Sequence, residues 1–353
     1  MKQGISSLRE LAYKIDEINK TKKDFVVNTR FLNFMYENNT DLVKEHQLFS
    51  GDYMFSINPL AHQQIATRLK IPFKYYEYML NDAPYLLNDN VNHWFKNKPE
   101  VRMIRTLEGR TRAFLSDMYQ RRDNYDLLTM VLKEMETLPP LNICSCNVDD
   151  NKLYLKVTTD KLQGEIKQGD VVKGGIVISN SEVGLGSFRI DPFIERLICN
   201  NGLIVAEWGM RKYHVGKRIS HEEGNIRVFS DETLQADDQA FWLKARDMLR
   251  AAFNDEQFQD ILNHLTLTTR NELEVKPKEA VERMQKMYQL KDEEKDDLLA
   301  ELLKSDDMTQ YGIINATTVV SKEAESYERA TELERLAGHI MNLNEKQWQD
   351  IAC

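Results

Sequence analysis

The chain has 353 residues, with 42% apolar and 29% charged side chains, a composition that is ordinary for a globular protein and excludes extended disorder. The net charge is −9, yet residues 1–250 carry 35 basic and 34 acidic side chains, whereas residues 251–353 carry 12 and 22. The charge therefore argues against a protein that binds nucleic acid over its whole surface, and it leaves room for a local basic groove.

Localisation follows from what the sequence lacks. The start, MKQGISSLRELAYK, has no continuous apolar core of the kind a signal peptide needs, and the apolar runs are too short to span a bilayer. Four cysteines in a chain of this length do not form a disulfide framework. We therefore expect a cytoplasmic protein.

The first hundred residues are predicted to be mainly helical. Ser6 or Ser7 can cap a first helix, and mixed strand character follows it. Pro59, Pro72 and Pro84 then separate three helices. A helix–break–helix could be a DNA-reading helix-turn-helix, but apolar residues at helical spacing favour a plain core. These core candidates are Ile65, Leu69, Tyr76, Met79 and Leu80.

The middle of the chain is predicted to be a sheet. EVRMIRTLEGRTRAFLSDMY has the pattern of a β-hairpin that turns at Glu108-Gly109, and Asp123 or Asn124 can cap the next helix. Five strand-like runs follow, up to about residue 208. Their connections are too short for crossover helices, so the pairing should be antiparallel.

The last part of the chain is predicted to be helical. Residues 220–238 are polar and acidic and are typical of an exposed linker. Helices are then expected at about 235–253, 256–264, 278–290, 293–304, 308–323 and 325–341.

Together these patterns predict an α+β fold, with a central, mostly antiparallel sheet, flanking helices and an all-helical C-terminal region. The expected divisions are a mainly helical N-terminal region packed on the core (1–98), the antiparallel sheet core (99–219), the polar linker (220–238) and an acidic helical region (239–353).

The stretch SNSEVGLGSFRID, residues 179–191, contains a G-x-G that could cradle a phosphate. A dinucleotide fingerprint needs a third glycine where Arg189 stands, and a helix where strand composition follows. We predict a bulged turn between two strands, with positive φ at Gly184 and Gly186. A second candidate, Gly216-Lys217, fails as a Walker loop because Arg218 stands where Ser or Thr is required.

Two further sets of residues could carry chemistry. Asp160, Glu165 and Lys167 have the residue types with which metal-dependent nucleases hold a cation and position water. Cys144 and Cys146 lie two apart on a predicted strand, so their side chains should share a face, where buried thiols are favoured over a zinc site. We expect no bound metal and no cofactor.

The basic side chains of the predicted sheet are the main candidates for binding. Guanidinium groups suit phosphates, and a tyrosine among them could stack on a base. Nearby carboxylates could instead pair with these cations and give a solvated, salt-bridged face. The candidate nucleic-acid-binding residues are Arg102, Arg105, Arg110, Arg112, Tyr119, Arg121, Arg122, Arg189, Arg196, Arg211, Lys212, Lys217 and Arg218.

Three blocks of this sequence resemble a known family. They are RTLEGRTRAFLSDMYQRRDNYDLL, GGIVISNSEVGLGSFRIDPFIERLICNNGLI and YGIINATTVVSKEAESYERATELERLAGHIM. The chain is similar to the domain-of-unknown-function family 932, also called phage/plasmid-like. The resemblance implies a protein of a mobile element in a bacterial cytoplasm, and it implies no catalytic residue. The motif positions are Leu115-Ser116-Asp117, Tyr119, residues 179–186, Asn200-Asn201-Gly202, Asn315-Ala316 and Glu334.

The leading hypothesis is a non-enzymatic, oligomeric protein of a phage or plasmid that binds single-stranded nucleic acid in recombination, annealing or replication. A first alternative is an interaction protein whose acidic C-terminal helices dock on a host or phage partner or counter host defence. A second alternative is a metal-dependent nuclease that uses Asp160, Glu165 and Lys167. No membrane association is expected.

Overall fold

A computed structural model describes residues 1–39, 43–206, 210–212 and 231–353. The first part of the chain builds one sheet and four helices. Its elements are α1 (Leu8–Thr21), β1 (Lys22–Asn28), β2 (Asn33–Asn39), β3 (Val43–Ser50), β4 (Tyr53–Ile57), α2 (Pro59–Leu69), α3 (Phe73–Asp82), α4 (Pro84–Asn97), β5 (Val101–Leu107) and β6 (Arg110–Ser116).

Local signals place these elements where the sequence predicts them. The Ser7 hydroxyl caps α1 by accepting from the backbone N–H of Glu10. Asn58 caps α2 in the same way, and Pro59 occupies the first helical position, where no backbone donor is needed. Glu108 and Gly109 both have positive φ, 50° and 78°, which is the backbone of a tight hairpin turn.

The first sheet has the strand order β1-β5-β6-β4-β3-β2. β1 pairs antiparallel with β5, and β4 pairs parallel with β6, so strands from both sides of residue 98 share this sheet. Helices α2, α3 and α4 cover one face, where Phe34, Ile65 and Tyr76 are buried. The hairpin β5–β6 therefore belongs to the first sheet and not to the sheet core expected for residues 99–219. Its partners lie far away along the chain, so local patterns could not reveal the pairing.

A second sheet follows α5. Its elements are α5 (Asn124–Met135), β7 (Leu141–Val148), β8 (Leu153–Glu165), β9 (Val171–Asn180), β10 (Phe188–Arg196), β11 (Asn201–Ile204) and β12 (Met210–Lys212). The order is β11-β10-β9-β8-β7, every pairing is antiparallel, and β12 also pairs with β10. This is the predicted antiparallel meander.

The remaining elements are α6 (Asp231–Ala251), α7 (Asp255–Thr268), α8 (Pro277–Tyr288), α9 (Asp292–Ser305), α10 (Gln310–Val320), α11 (Tyr327–Met341) and α12 (Glu345–Ala352). Residues 231–238 already belong to α6, so the linker expected to run to 238 ends earlier, and α12 was not predicted. The rest of that linker, residues 220–230, lies outside the described residues.

Helices cover both faces of the second sheet. α1, α5 and α6 bury one face around Leu11, Leu127, Phe188 and Phe241. α7, α10 and α11 pack on the other face, and α8, α9 and α12 complete that apolar cluster. The α+β prediction is confirmed. Within the ranges given above, no helix is long and apolar enough to cross a bilayer.

Candidate nucleic-acid interface

The two sheets meet at a buried ionic junction, defined here as Lys22, Asp24, Arg105, Arg112, Asp123 and Glu182. Arg105 has no exposed surface, and its guanidinium donates to Asp24 at 2.9 Å and to Asp123 at 2.7 Å. Lys22 donates to the other oxygen of Asp123 at 2.7 Å. Burial by itself would raise the pKa of Asp123, but Arg105 and Lys22 hold that pKa below its usual value.

Glu182, from the SNSEVGLG stretch, closes the junction from the second sheet. One carboxylate oxygen accepts from Arg112 at 2.7 Å, and the other accepts from the backbone N–H of Asn124 at 2.7 Å. Its backbone carbonyl accepts from Arg105 at 2.9 Å. Because Glu182 satisfies the first N–H of α5 and Asp123 is engaged by Arg105, the predicted cap residue Asp123 makes no side-chain cap. The stretch fastens the two sheets together.

The predicted bulged turn joins β9 to β10 through residues 181–187. Gly184 has the positive φ that was expected, +83°, whereas Gly186 does not. A Cβ at Gly184 would lie 2.7 Å from a methyl of Leu115, so this turn also packs closely on β6. The Ser181 hydroxyl donates to the carbonyl of Asn151, so it is a structural group of the turn.

Three more of the predicted residues border the junction. The Tyr119 hydroxyl donates to the carbonyl of Ser181 at 2.9 Å, and burial raises its pKa. Arg121 is half-exposed and lies 3.2 Å from Asp24. Arg122 is buried, with its guanidinium 3.9 Å from the ring centroid of Phe241 and a hydrogen bond to Gln120. Tyr119 and Arg122 are therefore packed into this region, whereas about half of the Arg121 side chain remains in solvent.

The arginines of β10 lie elsewhere and point to different partners. Arg189 pairs with Asp191 at 3.1 Å, and Arg335 of α11 donates to the same carboxylate at 2.9 Å. Arg196, at the far end of the strand, holds Asp170 with two hydrogen bonds of 2.6 and 2.8 Å. Arg189 therefore meets the carboxylate beside it.

The remaining predicted residues fall into three groups, which differ in how much of each residue the structure describes. Arg102 is buried and pairs with Glu100, whereas Arg110 is exposed beside the hairpin turn. For Arg211 and Lys212 the structure describes only the backbone of β12. Lys217 and Arg218, like Gly216, lie outside the described residues. The structure thus groups Arg105, Arg112, Tyr119, Arg121 and Arg122 at the junction, and mostly against carboxylates rather than toward solvent.

On the α11 side, the second sheet carries a second buried ion pair. Lys156 of β8 and Glu334 of α11 are both 0% exposed, and the lysine Nζ lies 2.5 Å from one carboxylate oxygen. The same ammonium lies 4.8 Å from the ring centroid of Tyr327. Neither residue was a sequence candidate for an ion pair, because alternation in β8 gives no sign that a lysine points inward.

The two cysteines of β7 do not share a face. The register with β8 shifts between Ile143 and Ser145, so Cys144 is the extra residue of a bulge. The Cys144 thiol lies 3.2 Å from the Thr158 hydroxyl on the α11 side, whereas Cys146 packs in the apolar cluster with Leu11. The prediction of a shared face was wrong because the bulge breaks the two-residue period. Burial raises the pKa of Cys144 to about 12, which keeps it protonated at neutral pH.

The candidate nuclease residues each have a different partner. Asp160 pairs with Lys173 at 2.6 Å, Glu165 accepts from the backbone of Gly169, and Lys167 pairs with Asp307 at 2.7 Å. In the described ranges, no three His, Cys, Asp or Glu side chains are grouped so that they could hold a metal ion.

Exposed carboxylates of the C-terminal region and exposed aromatic rings of the N-terminal region are two further candidate binding surfaces. Asp292 and Asp296 of α9, and Glu325 between α10 and α11, have solvent-exposed carboxylates. We call the first sheet together with α2, α3 and α4 the first lobe. On α3 of the first lobe, Tyr75 is 49% exposed and Tyr78 is 62% exposed. The exposed Lys74 comes directly before Tyr75 in the helix, and Lys70 is exposed at the preceding turn.

We call Lys70, Lys74, Tyr75 and Tyr78 the α3 face. Residues three and four apart lie on the same side of a helix, so Tyr78 neighbours both Lys74 and Tyr75. Sequence reasoning considered this segment as a DNA-reading helix-turn-helix, favoured a plain core, and did not single out its exposed tyrosines. The interleaved basic and aromatic residues of KIPFKYYEY were the signal that could have identified it.

Comparison with known families places most of this chain in a family. The model of the family described as Domain of unknown function (DUF932) matches residues 117–340, which is more than half of the chain. The match begins after β6, so it covers the second sheet and most of the helices and leaves out the first lobe. No curated protein and no solved structure matches the chain.

Proposed function

Since this chain belongs to the DUF932 family, whose name assigns no activity, we propose from its own residues that it binds single-stranded nucleic acid through the α3 face, without catalysing a reaction. The observation that carries the proposal is that two solvent-exposed tyrosines and the exposed Lys74 lie on one side of α3, with the exposed Lys70 in the turn before it. Bases stack on exposed aromatic rings whatever their sequence, and lysines attract the phosphates beside them.

The buried arginines argue for moving the site away from the predicted groove. A phosphate could reach Arg105 or Arg112 only by displacing carboxylates that already lie at 2.7–2.9 Å. Removing one partner from such a buried pair costs about 3–5 kcal/mol. The α3 face needs no such rearrangement, and Arg110 on the hairpin turn is an additional exposed cation.

The size of the α3 face favours an assembly. Two tyrosines can stack on only about two bases, which is a small share of the 4–16 nucleotides that single-strand-binding modules usually cover. Several copies bound to one strand and to each other would bind that strand more tightly than a single copy does. We propose that the protein acts as a homo-oligomer on single strands, in the cytoplasm, in the recombination, annealing or replication of a phage or plasmid.

The test is a fluorescence-anisotropy titration with a labelled single strand of roughly 40 nucleotides, as DNA and as RNA, at low and at higher salt. The double variant Tyr75→Ala/Tyr78→Ala should bind at least about 30-fold more weakly, because stacking contributes about 1–3 kcal/mol per base. Tyr13→Ala is the matched control, since Tyr13 is 66% exposed on α1.

Two outcomes would contradict the proposal. One is the absence of binding at micromolar protein in low salt. The other is binding that the double variant retains in full. Either result would leave the exposed carboxylates of the C-terminal helices as the surface to examine next, with pull-down from host lysate as the experiment.

A further inference from the structure

A small cavity lies between the end of the second sheet and α10. Its volume is about 20 Å³, and β10, β11, α7 and α10 all contribute to its wall. Ile194, Leu203 and Leu265 make part of the wall apolar. The polar side chains on the wall are Arg196, Asn201, Tyr311, Asn315 and Thr318.

Asn201, the first residue of β11, is 1% exposed, and its orientation is fixed by a chain of hydrogen bonds. The Thr318 hydroxyl donates its only proton to the backbone carbonyl of Asn315 at 2.8 Å. Its oxygen can therefore only accept from Asn201, so the amide nitrogen of Asn201 must face Thr318, at 2.5 Å. The amide oxygen is left buried, with no hydrogen-bond partner in the protein.

A buried amide oxygen without a partner is costly, because its desolvation is not repaid. Nearby polar groups cannot relieve it. The Tyr311 hydroxyl already donates to Asp170 at 2.6 Å, the Asn315 side chain is hydrogen-bonded to Tyr311, and Arg196 directs two N–H groups at the Asp170 carboxylate. A donor from outside the chain is needed.

The wall decides what kind of donor fits. A volume of about 20 Å³ exceeds the roughly 10–15 Å³ that one water requires and is too small for an organic molecule. The guanidinium of Arg196 on the wall disfavours a cation. The acceptor oxygens of Asn201 and Tyr311 disfavour an anion. A neutral molecule with two protons to donate satisfies both conditions.

We infer that this cavity binds a single ordered water molecule, which donates to the amide oxygen of Asn201 and joins β11 to α10. The Tyr311 hydroxyl oxygen and the Asn315 amide, on the same wall, supply its other partners. Buried waters typically make about three hydrogen bonds, so these groups are sufficient.

Oxygen-17 relaxation dispersion, which counts long-lived internal waters, tests this directly. Asn201→Leu keeps the side-chain size and removes both amide groups, and it should lower the count by one relative to the wild type. Asn142→Leu, at an exposed strand position on β7, is the control and should leave the count unchanged.

A crystal structure of the unmodified protein decides the question even if Asn201→Leu fails to fold. Solvent density at hydrogen-bonding distance from the Asn201 amide oxygen is expected. The inference is overturned by an empty cavity, by density at metal–ligand distances with several oxygen ligands, or by an unchanged water count in Asn201→Leu.

Discussion

Lys156 and Glu334 show what a charged side chain does when no water reaches it. Each is fully buried, and each has the other as its opposite charge, with the ring of Tyr327 beside the ammonium. The attraction within such a pair offsets the cost of desolvating the two charges only in part, whereas removing one partner leaves the other charge buried without an opposite charge. Its contribution to folding is therefore seen when only one partner is removed.

Lys156→Met or Glu334→Leu alone should lower the free energy of unfolding by about 3–5 kcal/mol, because each leaves an uncompensated buried charge. The double variant should recover most of that loss. Urea denaturation of the four proteins in a double-mutant cycle measures the coupling.

The exposed i,i+3 pair Lys304 and Glu301 provides the control cycle, since a solvated pair of this kind contributes only about 0.3–0.5 kcal/mol. Losses that simply add in the double variant would show that Lys156 and Glu334 do not depend on each other.

At the same scale, the sequence could predict residue types but not their partners. Arg105, Arg112 and Arg196 were correctly assigned to sheet or turn regions, yet their carboxylates come from residues 18 to 81 positions away. Asp191, two residues from Arg189 on the same strand, and Glu100, two residues before Arg102, were close enough in the sequence to suggest their pairs. The tyrosines of the α3 face were readable from KIPFKYYEY and were missed because apolar spacing was given priority.

Among the elements, helices and turns were more predictable than sheet pairing. Ser7, Asn58 and the Glu108-Gly109 turn act within a few residues, so their signals are local. The assignment of β5 and β6 to the first sheet depends on β1 and β4, and no local pattern encodes it. The bulge at Cys144 is a similar case. One extra residue in β7 moves the side chains on one side of the bulge to the opposite face of the sheet from the one that alternation predicts.

In the first lobe, one histidine of the helical layer and one of the sheet form a buried pair that should make the stability of the protein sensitive to acid. His62 of α2 lies 2.8 Å from the Tyr76 hydroxyl of α3, and its ring centroid is 5.9 Å from that of His46 on β3. Burial lowers the pKa of both rings, and that of His62 to about 3. Both are therefore neutral in the folded protein at neutral pH.

The unfolded chain protonates each histidine near pH 6.5, so between that value and the folded pKa the unfolded state binds more protons. The contribution of the two neutral histidines to the free energy of unfolding should be fully present above about pH 6.5. It should fall as the pH decreases, by up to ~1.4 kcal/mol per pH unit for each histidine. His62→Gln keeps a polar contact to Tyr76 and should flatten the profile between about pH 6.5 and 5.

His93→Gln, at an exposed position of α4, should reproduce the wild-type slope. Denaturation midpoints measured at intervals of pH provide the comparison. Parallel profiles for His62→Gln and the wild type would show that His62 does not titrate between the folded and unfolded states.

At the scale of the whole molecule, the junction joins a lobe outside the family match to the part that the family shares. Glu182 is a single residue that contacts Arg112, Arg105 and the start of α5. Glu182→Gln should strand the charge of Arg112 and lower the stability of the first lobe by about 3–5 kcal/mol. Hydrogen exchange of the β5 and β6 amides should accelerate accordingly.

Glu77→Gln, on the exposed side of α3, is the matched control and should leave exchange unchanged. Equal exchange in β5 and β6 of Glu182→Gln and the wild type would mean that the lobe is held by its apolar contacts alone.

The pairing of β1 with β5 and of β4 with β6 also sets an order of events on the ribosome. β1 is synthesised first, but its partner in the sheet appears about eighty residues later, so its inner edge stays open for several seconds at about 5–20 residues per second. The junction cannot close until Glu182 has emerged. Chains that stall between residues 57 and 101 would expose unpaired strand edges, and these nascent chains are where aggregation and chaperone binding should concentrate.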